Sequence, residues 1–252
     1  MPYVLCAAIA ALVTSSATTA RAAEITLVAP GGIRAALERV VPGFERQTGH
    51  KVVMTITSGG GAKERVMKGE AFDVPIIQPP YEEVLASGHL VADSAAPVGT
   101  VAVGVAIRPG MPKPDIGNAD AVKRTLLAAA SISYPDPKRG AAAGVSFTAT
   151  MERLGIHEAM QPKIHLAQGG DAAMTMVAKG EVELGLTFLS EMRVSGIEPV
   201  GGLPRAISTP TSFVAFRSTQ AKDKAAADAL IHFLTSPERT ADYRASGVEP
   251  GS

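Results

Sequence analysis

The sequence predicts an α/β protein of two lobes, each a mainly parallel sheet wrapped by helices, with two long strands carrying the chain between them. Three observations predict this. Short β-branched runs alternate with helix-period segments along nearly the whole chain, the pattern of parallel βαβ units. The alternation comes as two series, separated by one long strand-like run and followed by another. Four strand-to-helix junctions, two in each series, are reduced to glycine and small residues.

In chain order, 24–29 reads as a strand, broken by Pro30-Gly31-Gly32. The segment 33–49 has helical spacing, with Ile33, Leu37, Val40, Val41 and Phe44 on one face. A strand over 51–57 ends at Ser58-Gly59-Gly60-Gly61, and a helix over 62–70 follows. A third strand spans 73–78, and a short helix over 81–90 stops near Gly88. The run 100–110 is the first long strand, and a Pro/Gly-rich stretch follows it. The second series comprises strands over 131–137, 163–168 and 184–189 and helices over 144–155 and 170–181. The second long strand, 205–216, returns the chain to the first lobe. A helix over 221–236 follows, and Pro237 in its first turn opens a last one. The expected division is 1–22 as a signal peptide, 23–97 with 213–252 as lobe one, and 98–212 as lobe two with the hinge strands.

Residues 1–22 carry one charge, Arg21, and an apolar run over 4–13 too short to span a membrane as a mature helix. Ala20-Arg21-Ala22 has the small-x-small form of a signal-peptide cleavage site, which implies secretion to the periplasm and a mature start at Ala23 or Glu24. Cys6, the only cysteine, leaves with that segment, so the mature chain has no thiol and no disulfide. The 24 basic and 24 acidic residues balance, which argues against a nucleic-acid partner. The five histidines show no metal-ligand spacing, and no metal or cofactor is expected.

The glycine-rich run at 59–61 is not a nucleotide loop. A P-loop requires Lys-Ser/Thr after its last glycine, whereas Gly61 is followed by Ala62, Lys63 and Glu64. What remains is a hydroxyl and backbone N–H groups at a helix start, a generic anion cradle. The same device recurs at Gly31-Gly32, at 139–144 and at Gly169-Gly170. Ligands of open α/β sheets sit beyond the carboxyl ends of the strands, so two such lobes facing each other enclose a cleft for a small anion.

The segments 25–49, 57–74, 134–156, 170–188 and 243–250 together resemble the periplasmic molybdate-binding proteins and their type II solute-binding relatives. The resemblance implies a periplasmic-binding-protein-like (type II) fold that closes over its ligand by hinge motion. A monomer is expected, with a membrane transporter as a candidate partner. The molybdate pattern has a serine in the first turn, where this chain has Gly32 followed by Ile33-Arg34; its second serine corresponds to Ser58, and its tyrosine to Phe188. Two side-chain donors are thereby lost and an arginine gained. A guanidinium fork suits a carboxylate, so the expected ligand is a di- or tricarboxylate, with molybdate or another oxyanion as the weaker alternative. Candidate ligand contacts are Gly32, Arg34, Ser58, Gly59, Gly60, Arg139, Gly140 and Gly170. Some secreted proteins resembling this family are aconitate isomerases, which move a proton along an allylic carbon beside carboxylates. On that alternative the base is Tyr134, His165 or a water held by Ser58. A sensor partner that binds ligand and docks on a receptor is a third alternative.

Overall fold

A computed structural model describes residues 22–251. The expected signal peptide, all but its last residue, lies outside the described residues, as does Cys6.

The first sheet grows from the strands β1 (Glu24–Pro30), β2 (Lys51–Thr57) and β3 (Val74–Ile77), linked by helices α1 (Gly31–Thr48) and α2 (Gly59–Met67). These strands are parallel, with Leu27 opposite Met54 on one side and Val74 on the other. Helix α1 buries Ile33, Leu37, Val40, Val41 and Phe44 and turns Arg34, Glu38 and Arg39 outward. It ends at Gly49, whose left-handed φ of 75° lets its N–H reach back to the Glu45 carbonyl. After helix α3 (Glu82–Ala86), β4 (Leu90–Val101) runs twelve residues towards the second sheet, and β5 (Val103–Ile107) begins there after a single intervening residue, Ala102.

The second sheet has the strand order β7-β6-β8-β5-β9. Helix α4 (Ala119–Ala128) leads to β6 (Ile132–Pro135), then α5 (Ala142–Arg153) and α6 (His157–Met160) lead to β7 (Ile164–Ala167). Helix α7 (Gly170–Lys179), β8 (Leu184–Phe188) and β9 (Glu198–Gly202) complete the lobe. Strands β7, β6 and β8 are parallel, while β5 runs antiparallel to both β8 and β9. The chain then returns through β10 (Thr211–Ser218), α8 (Lys224–Leu234), α9 (Thr240–Arg244) and β11 (Glu249–Pro250). The first sheet finally reads β11-β4-β10-β3-β1-β2, its last three strands added antiparallel. In both sheets, then, the βα strands are parallel as expected, and one strand of opposite sense is inserted beside them, β10 in the first sheet and β5 in the second.

Several elements differ from the sequence expectation, beyond the short α6 and β11, which it does not contain. Strand β4 starts at Leu90, not near Thr100; its Ala, Asp and Pro content carries little β propensity, and pairing with β10 and β11 supplies what the local sequence lacks. Helix α4 is not among the expected elements; Asn118 caps it by accepting from the Ala121 N–H at 3.0 Å. Strand β9 lies in a glycine-containing segment and exists by pairing with β5. The expected strand over 205–216 is strand only from Thr211, because Pro204 and Pro210 bracket a turn.

One buried carboxylate ties the returning segment to the first lobe. Asp73 is buried and accepts from the Thr26 N–H and hydroxyl, each at 2.7 Å, and from the Lys222 N–H at 2.7 Å. No helix among the described residues is long and apolar enough to cross a membrane.

Candidate functional site

A cavity of about 620 Å³ lies between the two sheets, lined by the turns that open α1, α2, α5 and α7. Its two walls differ in chemistry.

One wall is uncharged. Ser58, at the end of β2, caps α2 by accepting from the Gly61 N–H at 3.0 Å, and Thr57, Ser58 and Gly59 line the cavity. Opposite them, Pro135 and Ala141–Ala143 line it at the start of α5, a helix without a side-chain cap. The first N–H groups of that helix have no intrahelical acceptor and carry the positive end of its dipole.

The other wall, at α1 and α7, is charged. Arg34, Glu38, Asp171, Glu191 and Arg193 all line the cavity. Arg34 Nε donates to Glu38 Oε1 at 2.6 Å across one helical turn, and both side chains are about half exposed, at 54% and 49%. That hydrogen bond, with the charge of Glu38, holds the guanidinium above its ordinary pKa. Glu191 stands on the 3₁₀ turn Leu189–Glu191 after β8, and its Oε2 accepts from the buried Thr187 hydroxyl at 2.5 Å. A side-chain carbon built on Gly31 would fall 3.2 Å from Glu191 Oε1, and one on Gly170 only 2.5 Å from Oε2. The carboxyl therefore sits against both helix-opening turns. Burial pushes it above the usual carboxylate range; the Thr187 hydroxyl opposes this, and the nearby charge of Asp171 adds to it.

The floor is aromatic. Phe188 of the second lobe meets Phe213 of the first edge-on at 6.2 Å between ring centres. A carbon on Gly32 would come within 2.6 Å of Phe188 and 2.9 Å of Phe213, so a serine does not fit at position 32 unless these rings move. The two departures from the molybdate pattern, Gly32 and Phe188, are thus one steric unit. Beside them the Ser190 hydroxyl donates to the Gly32 carbonyl at 2.6 Å. At the lip, the Gly60 N–H donates to the Gly140 carbonyl at 3.0 Å, joining the lobes backbone to backbone.

The sequence candidates separate accordingly. Gly32, Arg34, Ser58, Gly59 and Gly170 line the cavity. Gly60 and Gly140 form the lip clasp and do not line it. Arg139 stands exposed on the 3₁₀ turn Pro137–Arg139, outside the lining. Tyr134 is buried, packed edge-on against Phe147 at 5.0 Å, and does not reach the cavity. His165 is exposed on the edge strand β7, also outside the lining. Sequence reasoning did not find Glu191. Its one local signal was an acid just after the strand that ends in the tyrosine-equivalent Phe188. Among the described residues, no group of three or more His, Cys, Asp or Glu is placed to hold a metal ion.

The model of the bacterial extracellular solute-binding protein family matches residues 25–249. An aconitate isomerase of Pseudomonas sp is 30% identical over 234 residues, covering 90% of this chain and 87% of that protein. The molybdate-binding protein ModA of Azotobacter vinelandii is 30% identical over 244 residues, covering 92% of each. Among solved structures, the periplasmic molybdate-binding protein of Azotobacter vinelandii superposes with a TM-score of 0.75 at 20% identity, over 90% of this chain and 100% of that one. The sulfate-binding protein SubI of Mycobacterium tuberculosis H37Rv gives 0.71 at 16% identity, over 90% and 87%. These likenesses fix the two-lobed fold. The chain belongs to the bacterial extracellular solute-binding protein family.

Proposed function

We propose that this protein captures a small organic polycarboxylate between its lobes, outside the cytoplasm. The observation that carries this is the cavity itself. At about 620 Å³ it falls in the range of roughly 300–1,000 Å³ common for organic ligands, and helix-opening turns from both lobes line it. Ser58, Gly59 and the start of α5 supply hydrogen-bond donors for carboxylates, and Arg34 stands at the rim. Molybdate is the weaker ligand, because Gly32 and Phe188 remove two hydroxyl donors and fill that space with an aromatic ring.

On this reading residues 1–22 are a signal peptide, 23–97 with 213–252 close against 98–212, and a membrane transporter receives the ligand. The test is calorimetry on protein unfolded and refolded to strip bound ligand, titrated with di- and tricarboxylates, molybdate and sulfate. Tricarboxylate binding with silence towards the oxyanions supports the reading. Molybdate binding alone overturns it.

A second reading has its own observation. Glu191 places a carboxyl of raised proton affinity inside the cavity, and the aconitate isomerase of Pseudomonas sp matches this chain along most of its length. The reading is isomerisation of cis- and trans-aconitate in the same cleft. Following purified protein with cis-aconitate by proton NMR tests it; unchanged substrate under binding conditions removes it.

A further inference from the structure

We propose that Glu191 is the acid–base residue of the cleft, taking a proton from the carbon skeleton of a bound unsaturated carboxylate and returning it one allylic position away. The inference rests on the isomerase reading.

Three observations single out this side chain. It lines the cavity, unlike Tyr134 and His165. Its carboxyl accepts from the buried Thr187 hydroxyl and from the Phe188 backbone, and it forms no ion pair among the described residues. A buried carboxylate kept for stability would normally be matched by a cation; here Asp171, a like charge, is the neighbour. The other charged groups facing the cavity are Arg34 and Glu38, paired with each other, and the exposed Arg193. Burial raises the proton affinity of the carboxylate, which suits a base that must take a proton and hold it between two carbon positions.

The asymmetry of the walls sets the ligand's direction. On the α1/α7 wall Arg34 is taken up by Glu38, Arg193 is exposed and Asp171 has no cation paired to it among the described residues, whereas the α2/α5 wall offers Ser58 and N–H groups without an opposing acid. The carboxylates therefore face α2 and α5, and the carbon chain faces Glu191. The ligand class is a carboxylate with a methylene next to a carbon–carbon double bond. The Glu191 carboxylate removes a methylene proton. The electron pair spreads over the three-carbon unit and the adjoining carboxylate oxygens, where the donors of the neutral wall meet the added charge. The double bond shifts by one carbon, and Glu191 delivers its proton to the far carbon. One C–H bond breaks, one forms, no oxidant or reductant is needed, and Glu191 ends as it began.

The test uses the mature protein with cis-aconitate in D2O, followed by proton NMR, alongside calorimetry with the same compound. Wild-type protein should convert cis to trans and wash deuterium into the allylic carbons. Glu191→Gln should keep affinity while exchange falls by about 10²–10⁴-fold, the usual reach of a positioned general base. Glu191→Asp, which keeps the acid but withdraws it, should retain part of the rate. Thr187→Val should bind normally and shift the pH–rate profile, as expected of a positioning residue. If wild type isomerises and Glu191→Gln does so equally fast, Glu191 is not the base although the isomerase reading survives. If wild type binds without exchange, both that reading and the role of Glu191 fall, and capture alone stands. If wild type neither binds nor converts, the carboxylate reading falls with them.

Discussion

The two walls of the cleft are built from the same device and do opposite things. Each is a pair of strand-to-helix turns, one from each lobe. At α2 and α5 the turns carry a hydroxyl, glycines and alanines, so the helix ends keep their affinity for negative charge. At α1 and α7 the same kind of turn is overlaid by Glu191, Asp171 and Glu38, with Arg34 already committed to Glu38. A glycine-rich helix start is therefore not in itself an anion site; the side chains that tertiary structure sets over it decide its sign.

The largest effect is expected at the floor that joins the walls. Gly32→Val drives carbon atoms into Phe188 and Phe213, and overpacking of this kind costs about 1–3 kcal/mol. The variant should melt earlier and lose ligand-induced compaction in small-angle scattering. A variant that still closes as the parent does would show that the aromatic floor does not govern closure.

The charged wall should next reveal itself in the pH dependence of stability. Because its pKa is raised in the fold, Glu191 binds its proton more tightly folded than unfolded. Stability therefore falls as pH rises from the unfolded value, about 4.3, through the folded one. Glu191→Gln cannot ionise, so its Tm should exceed that of the parent at neutral and alkaline pH, with the gain shrinking towards pH 4. Parallel curves across that range would place Glu191 in an ordinary solvated setting.

On the neutral wall, Ser58→Ala removes the α2 cap at about 1 kcal/mol of stability. If Ser58 also meets the ligand, affinity should drop by about 0.5–1.5 kcal/mol, roughly two- to twelvefold. Unchanged affinity alongside a lowered Tm would leave it as a cap alone.

Arg34→Ala should change stability by about 0.3–0.5 kcal/mol at most, since its partner is exposed and one turn away. Its effect on affinity should stay under about 1 kcal/mol; a loss of about 2–5 kcal/mol would mean that Arg34 leaves Glu38 to meet a buried carboxylate. Arg139→Ala, outside the lining, should bind like the parent in calorimetry, and any clear loss would bring its turn into the site.

The βα alternation, the two-lobed organisation and four of the cavity-opening turns were legible in the chain because they rest on local physics. Period 3.6 in 33–49, β-branched runs, and glycine between strand and helix are written within a few residues of one another. Ser58 was legible for the same reason, since an N-cap hydroxyl acts three residues away. Tertiary structure alone decided the rest. Strand β4 exists through partners more than a hundred residues distant. Tyr134 faces the core and His165 the solvent because of sheet order, which no local pattern encodes. Gly32 faces Phe188 across 156 positions, and Glu191 meets Gly31 and Gly170 only once two separate strands bring their ends together. Backbone periodicity is a property of neighbours in sequence; the chemistry of this cleft depends on which distant side chains the two sheets bring to the same few ångströms.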